Sequence, residues 1–161
     1  MTLPTRLKGE RGWTRQPEIA EIVDRAIARF ITVYPWASPE LPGNQYWSLD
    51  FLMLTATEVL VLDPLIPANM FPEYGHNDGP SWDACVVLAT TYPEMLFNGF
   101  LMPPARADEG IDLDAVYIPE PDDDDAQYIL AITRSDGTRC HPDEDALETI
   151  DGRSYRRLWW D

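Results

Sequence analysis

Asp151-Gly152-Arg153-Ser154-Tyr155-Arg156-Arg157-Leu158-Trp159-Trp160 decides the architecture of the C-terminal third. Read as extended chain, it puts Tyr155, Arg157 and Trp159 on one face and Arg156, Leu158 and Trp160 on the other. Upstream, residues 128–134 read Tyr-Ile-Leu-Ala-Ile-Thr-Arg, a second strand pattern, and lead into Ser135-Asp136-Gly137. An Asp-Gly pair between such segments is a two-residue hairpin signal, so residues 138–141 are expected to return antiparallel. Earlier still, Ala115-Val116-Tyr117-Ile118-Pro119 reads as an edge strand, because Pro119 has no N–H to give to a ladder. Pro142 followed by Asp143-Glu144-Asp145 reads as the start of a short helix ending near Thr149.

The N-terminal half has helical spacing instead. Ile19, Ile22, Val23, Ala26, Ile27 and Phe30 recur three and four residues apart, with Glu18, Glu21, Asp24, Arg25 and Arg29 on the opposite side. Pro17 suits the first helical position, Glu18 and Glu21 suit the positive end of the dipole, and Pro35 stops the helix. Ser48 as N-cap with Asp50 in the first turn predicts a second helix to about Val61, although the β-branched Thr55, Thr57, Val59 and Val61 argue for strand. Residues 64–80, with four prolines, read as loop. The run around Cys85-Val86-Val87-Leu88-Ala89 is buried in either type, since periodicity does not arbitrate so short a segment. The expected fold is α+β, with N-terminal helices packed on a mainly antiparallel C-terminal sheet in one domain. Residues 1–16 read as a flexible basic arm and residues 106–126 as an acidic loop region.

The chain has 161 residues, 45% of them hydrophobic, enough to bury a core without disulfide or metal staples. Two cysteines, Cys85 and Cys140, make no disulfide framework. Neither a signal-peptide h-region nor a run of ~20 apolar residues is present, so the expected location is the cytoplasm.

Net charge is −16, unevenly spread. Residues 1–29 carry +2, residues 30–105 hold no Lys or Arg and carry −8, and residues 106–161 carry −10. Asp108 to Asp125 contains nine carboxylates and no cation, ending in Asp122-Asp123-Asp124-Asp125. Such a chain is a poor general ligand for nucleic acid or anionic membrane, both of which demand cationic surface. A solvated connector, or the acidity of a halophilic host, accounts for the charge without function. The functional alternative is an acidic face that steers and binds a basic partner.

Catalytic patterns are sparse. His76 and Asp78 lie in the loop sequence Tyr74-Gly75-His76-Asn77-Asp78-Gly79, with Asp83 and Cys85 nearby, and would supply an acid, base or nucleophile. Cys140 and His141 are adjacent and would point to opposite faces of a strand. Neither metal-ligand spacing nor a phosphate-binding glycine motif occurs, so no metal or cofactor is expected.

The leading expectation is therefore a small, non-enzymatic acidic inhibitor that blocks a basic protein, such as a nuclease or a nucleic-acid-binding complex. A DNA-mimicking anti-CRISPR or anti-restriction factor, or an immunity protein against a toxin, has this chemistry. The expected contact set is Asp108, Glu109, Asp112, Asp114, Asp122, Asp123, Asp124 and Asp125, with Trp159 and Trp160 adding aromatic contacts. The alternatives are a hydrolase or transferase centred on His76, Asp78 and Asp83, and an accessory subunit that docks through its aromatic C-terminal strand.

Overall fold

The computed structural model describes residues 10–38, 50–67, 79–106, 108–120, 124 and 141–160. Its elements run α1 (Pro17–Val33), β1 (Asp50–Thr55), α2 (Ala56–Leu62), α3 (Trp82–Thr91), β2 (Leu96–Met102), β3 (Gly110–Pro119), β4 (Glu144–Ile150) and β5 (Arg153–Trp159). The fold is α+β, one domain built on an antiparallel five-stranded sheet of order β1-β2-β3-β5-β4. Among the described elements α1, α2 and α3 precede four of the five strands, with β1 between α1 and α2.

Helix α1 forms as its spacing predicts. Ile19, Ile22, Val23, Ala26 and Phe30 are buried, Pro17 opens the first turn, and the chain leaves the helix at Tyr34 before Pro35. Its first half joins the main core with Leu52, Leu54, Val59, Leu88, Phe97, Val116 and Leu158. Its last turn reaches a second apolar cluster on the other sheet face, where Phe30 meets Met53, Ala115, Tyr117 and Tyr155.

The second expected helix is half strand. Residues 50–55 extend as β1 and only Ala56–Leu62 are helical, reversing the expected order of strand and helix character. The physical reason is that both sides of β1 are covered. Leu52, Met53 and Leu54 are each fully buried, so the strand needs an unbroken apolar run rather than alternation. Helix α2 is started by a capping box: the Thr55 hydroxyl accepts from the Glu58 N–H and the Glu58 carboxylate accepts from the Thr55 N–H. Helix α3 settles the open segment around Cys85, with Ser81 as N-cap accepting from the Ala84 N–H.

Three expectations in the C-terminal part are corrected. Ala115–Pro119 belongs to the central strand β3, paired with β2 on one side and β5 on the other, and Pro119 lies beyond Tyr117, the last residue paired with β2. The proline is therefore placed where only one neighbour remains. Glu144–Ile150 form strand β4 where a helix from Asp143 to about Thr149 was expected, because tertiary pairing overrides local propensity: Asp145 meets Arg156, and Glu144 and Glu148 meet Arg157. The connection to β5 is Asp151-Gly152, with φ of 50° and 77°, the left-handed pair that a type I′ hairpin turn requires. Within the acidic loop expected over 106–126, Gly110–Pro119 are strand β3, whose residues are largely buried.

Part of the expected N-terminal arm is also corrected. Trp13 and Thr14 are buried, and the N–H groups of Gly12 and Thr14 and the Thr14 hydroxyl all donate to the Glu109 carboxylate. The expected strand at 128–134 and the Asp136-Gly137 hairpin lie outside the described residues. No helix among the described residues is long and apolar enough to cross a membrane.

Candidate functional site

One sheet face is covered by α1, α2 and α3; among the described residues the other is only partly closed, by the C-terminal end of α1 and the turn Pro35–Ala37. There a cavity of about 290 Å³ opens above β1, β2, β3, β5 and β4. Its rings form a connected set. Phe30 stacks on Phe51 with centroids 5.3 Å apart, Trp36 meets Phe51 edge-on at 5.5 Å, and Tyr34 lies 4.9 Å from Phe30. Tyr117 and Trp159 line the opposite side, where the Arg157 guanidinium sits 5.9 Å from the Trp159 ring.

A β-bulge shapes the floor. Asn98 pairs with Ala115 and Gly99 with Leu113, so Asp114 has no opposite residue on β2. Bulges re-aim a side chain, and Asp114 lines the cavity, where its carboxylate accepts from the Trp159 indole N–H at 3.0 Å. The bulge also explains Gly99: a Cβ there would lie 1.8 Å from the Asp112 carbonyl oxygen, closer than any side chain can approach.

Polar groups run through the aromatic wall as a chain. The Asn98 amide donates to the Tyr117 hydroxyl at 2.9 Å, Tyr117 and Tyr34 share a hydrogen bond, and Tyr34 donates to Glu148. Glu148 and Glu144 also pair with Arg157. Burial raises the Tyr34 phenol far above its ordinary range, an effect reinforced by Glu148, and pushes Tyr117 up to about 12. Burial works against the Arg157 charge, yet Glu148 and the phenol of Tyr117 outweigh it and the guanidinium is held above its ordinary value. Both phenols thus keep their protons and the guanidinium its charge at neutral pH.

A second hollow of about 400 Å³ lies over Met53, Leu96, Ile150 and Tyr155. Its two cations are already committed, Arg29 to Glu58 and Arg153 to Glu94, and it has no comparable aromatic wall.

The sequence-predicted contact residues are dispersed. Asp108 pairs with Arg106, and Asp112 is half-buried on β3. Glu109 is buried as the anchor of the N-terminal turn, and Trp160 is 1% exposed in the main core, so neither offers a contact surface. Asp114 and Trp159 meet in the cavity. Of the run 122–125 only Asp124 is among the described residues, and it is exposed.

His76 and Asp78, proposed for the enzyme alternative, lie outside the described residues. Asp83 is exposed in the first turn of α3, while Cys85 is a buried free thiol whose pKa is raised by desolvation, the opposite of an activated nucleophile. No group of three or more His, Cys, Asp or Glu arranged to hold a metal occurs among the described residues. The docking-strand alternative meets a topological obstacle, because β5 lies between β3 and β4 with both edges paired.

Sequence reading placed Arg157 and Trp159 on one face but missed Asn98, Tyr34, Phe51 and Tyr117 as their neighbours. Strand β2 carries no alternation strong enough to announce itself, and Phe51 sat in a segment read as helix. Compared with known proteins, the chain matches no family model, no curated protein and no solved structure.

Proposed function

We propose that this chain is a non-enzymatic, cytoplasmic binding protein that captures and blocks a basic macromolecular partner, as an anti-CRISPR, anti-restriction or immunity inhibitor would. The carrying observation is the cleft, in which aromatic rings stand beside Asp114 and Glu144. Rings and carboxylates together favour a cation, the rings through their quadrupoles and the carboxylates by charge. The charge elsewhere supports the same reading. Arg15, Arg25, Arg29, Arg106, Arg153, Arg156 and Arg157 are each tied to a carboxylate of the chain itself, while Asp83, Glu120 and Asp124 are exposed on a chain of net charge −16. Long-range attraction would then bring a basic partner in, and the cleft would give the contact its specificity.

The test is affinity capture with the wild-type chain and with a Trp36→Ala/Glu144→Gln variant. A partner with a domain isoelectric point above about 9, released by rising salt and lost with the variant, supports the reading. A neutral or acidic partner, or one held equally by both proteins at high salt, overturns it.

A further inference from the structure

We propose that the second hollow, over Met53, Leu96, Ile150 and Tyr155, binds a small, neutral, mainly apolar molecule through a carbonyl oxygen. At about 400 Å³ the hollow is larger than the aromatic cleft, and it lies within the ~300–1,000 Å³ of small-molecule sites. Four elements converge on its apolar lining: Val33 at the end of α1, Met53 on β1, Leu96 on β2 and Ile150 on β4.

The fold leaves one polar group in this lining unused. Tyr155 is 8% exposed, and its side chain makes ring contacts, with Tyr117 at 6.4 Å and with the Arg153 guanidinium at 5.7 Å. Its hydroxyl has no hydrogen-bond partner among the described residues. The unpaired atoms that are sealed from any visitor belong to Trp13, Asn98, Arg157 and Trp160, so the Tyr155 oxygen keeps surface that a ligand can reach. A nine-tenths buried side chain with an unmet hydroxyl is a cost that a ligand's acceptor removes. A second donor stands at the same ring. Arg153 donates from Nη2 to Glu94, and its other N–H groups have no partner among the described residues.

Charge decides the class of ligand. Arg29 is paired with Glu58 and Arg153 with Glu94, which leaves Asp151 as the uneven charge in the lining. An anion would meet that carboxylate, on a chain of net charge −16. A cation would meet two guanidiniums above an apolar floor that strips its hydration. A neutral molecule avoids both costs. The waiting groups are a phenol O–H and guanidinium N–H groups, and a carbonyl oxygen meets both, with two lone pairs and no proton to place.

Three probes of similar shape separate the classes: benzylacetone, a neutral ketone; hydrocinnamate, its anionic counterpart; and phenylpropylamine, a cation at neutral pH. Each is titrated into the full chain by NMR. The methyl signals of Met53 and Ile150 report on the hollow, and the indole N–H signals of Trp36 and Trp159 report on the cleft. Benzylacetone should shift Met53 and Ile150 saturably and bind at least about threefold more tightly than either ion. Tyr155→Phe removes only a hydroxyl that the fold does not use. It should weaken the ketone about three- to tenfold at an unchanged thermal midpoint. Thr32→Trp, at an exposed position on the rim, should abolish the shifts while the chain still melts cooperatively. No saturable shift at Met53 and Ile150, shifts confined to Trp36 and Trp159, equal or tighter binding of either ion, or unchanged affinity in Tyr155→Phe overturns the inference.

Discussion

Glu58 shows how far a carboxylate in an acidic chain can be from surface charge. Only 8% exposed, it closes the capping box of α2 and accepts two hydrogen bonds from Arg29. Burial alone would raise its pKa, but the Arg29 guanidinium and the Thr55 donors outweigh this and hold it below the ordinary carboxylate range. A lowered folded-state pKa means stability that is present above the unfolded value and lost as pH falls through the folded one. Asp24 beside Arg15 and Asp145 beside Arg156 shift in the same direction, whereas burial raises Asp50, whose charge therefore works against folding. Glu58→Ala is expected to cost about 2–3 kcal/mol at pH 7, through the lost cap and the unpaired Arg29. The loss should shrink as the pH is lowered from 7 toward 3 and the wild-type carboxylate takes up its proton. Urea denaturation at both values checks this, and an equal cost at pH 3 would refute the ionic part of the account.

At the scale of elements, the bulge between β2 and β3 joins fold and site. Gly99 permits the backbone of β2 to meet Asp112, and the register skip at Asp114 turns its carboxylate to the cleft. Gly99→Ala should destabilise by at least about 3 kcal/mol, because the obstacle is a backbone carbonyl with no rotamer to yield. A thermal midpoint within a degree or two of wild type would show that the bulge relaxes. Elements also differ in how readable they were. Helix α1 has one covered side and one wet side, so its period is visible. Strand β1 is covered on both sides, so Leu52-Met53-Leu54 carries no period at all. The cap at Thr55-x-x-Glu58 was a signal present in the sequence that marked where α2 begins.

The whole molecule is organised around β3 and β5. Strand β5 is interior, with Leu158 fully buried and Trp160 beside it in the core. Deleting residues 153–161 would therefore remove a central strand and leave β4 without its one partner among the described strands. The truncated chain is expected to lose its cooperative unfolding transition by far-UV circular dichroism. A cooperative melt near the wild-type midpoint would mean that the sheet does not depend on β5. The net charge, too, is arranged by the whole fold: Glu58, Glu109 and Asp114 are buried, and most described arginines are neutralised by chain carboxylates, so the net acidity of the surface is what pairing does not consume.

The sequence by itself determined the α+β class, the length and placement of α1, the final strand with its two faces, and a strongly acidic balance. These rest on local covalent facts: where proline forbids a helix, where apolar residues recur, and how many charges of each sign exist. Tertiary structure decided which strand is central, that residues 144–150 extend instead of coiling, and which carboxylates are inside. It also decided that Phe51, Asn98, Asp114, Tyr117 and Trp159 meet in one cleft, although they span more than a hundred residues. Long-range pairing sets these outcomes, because a strand's partner and register depend on surfaces that no short window of sequence contains.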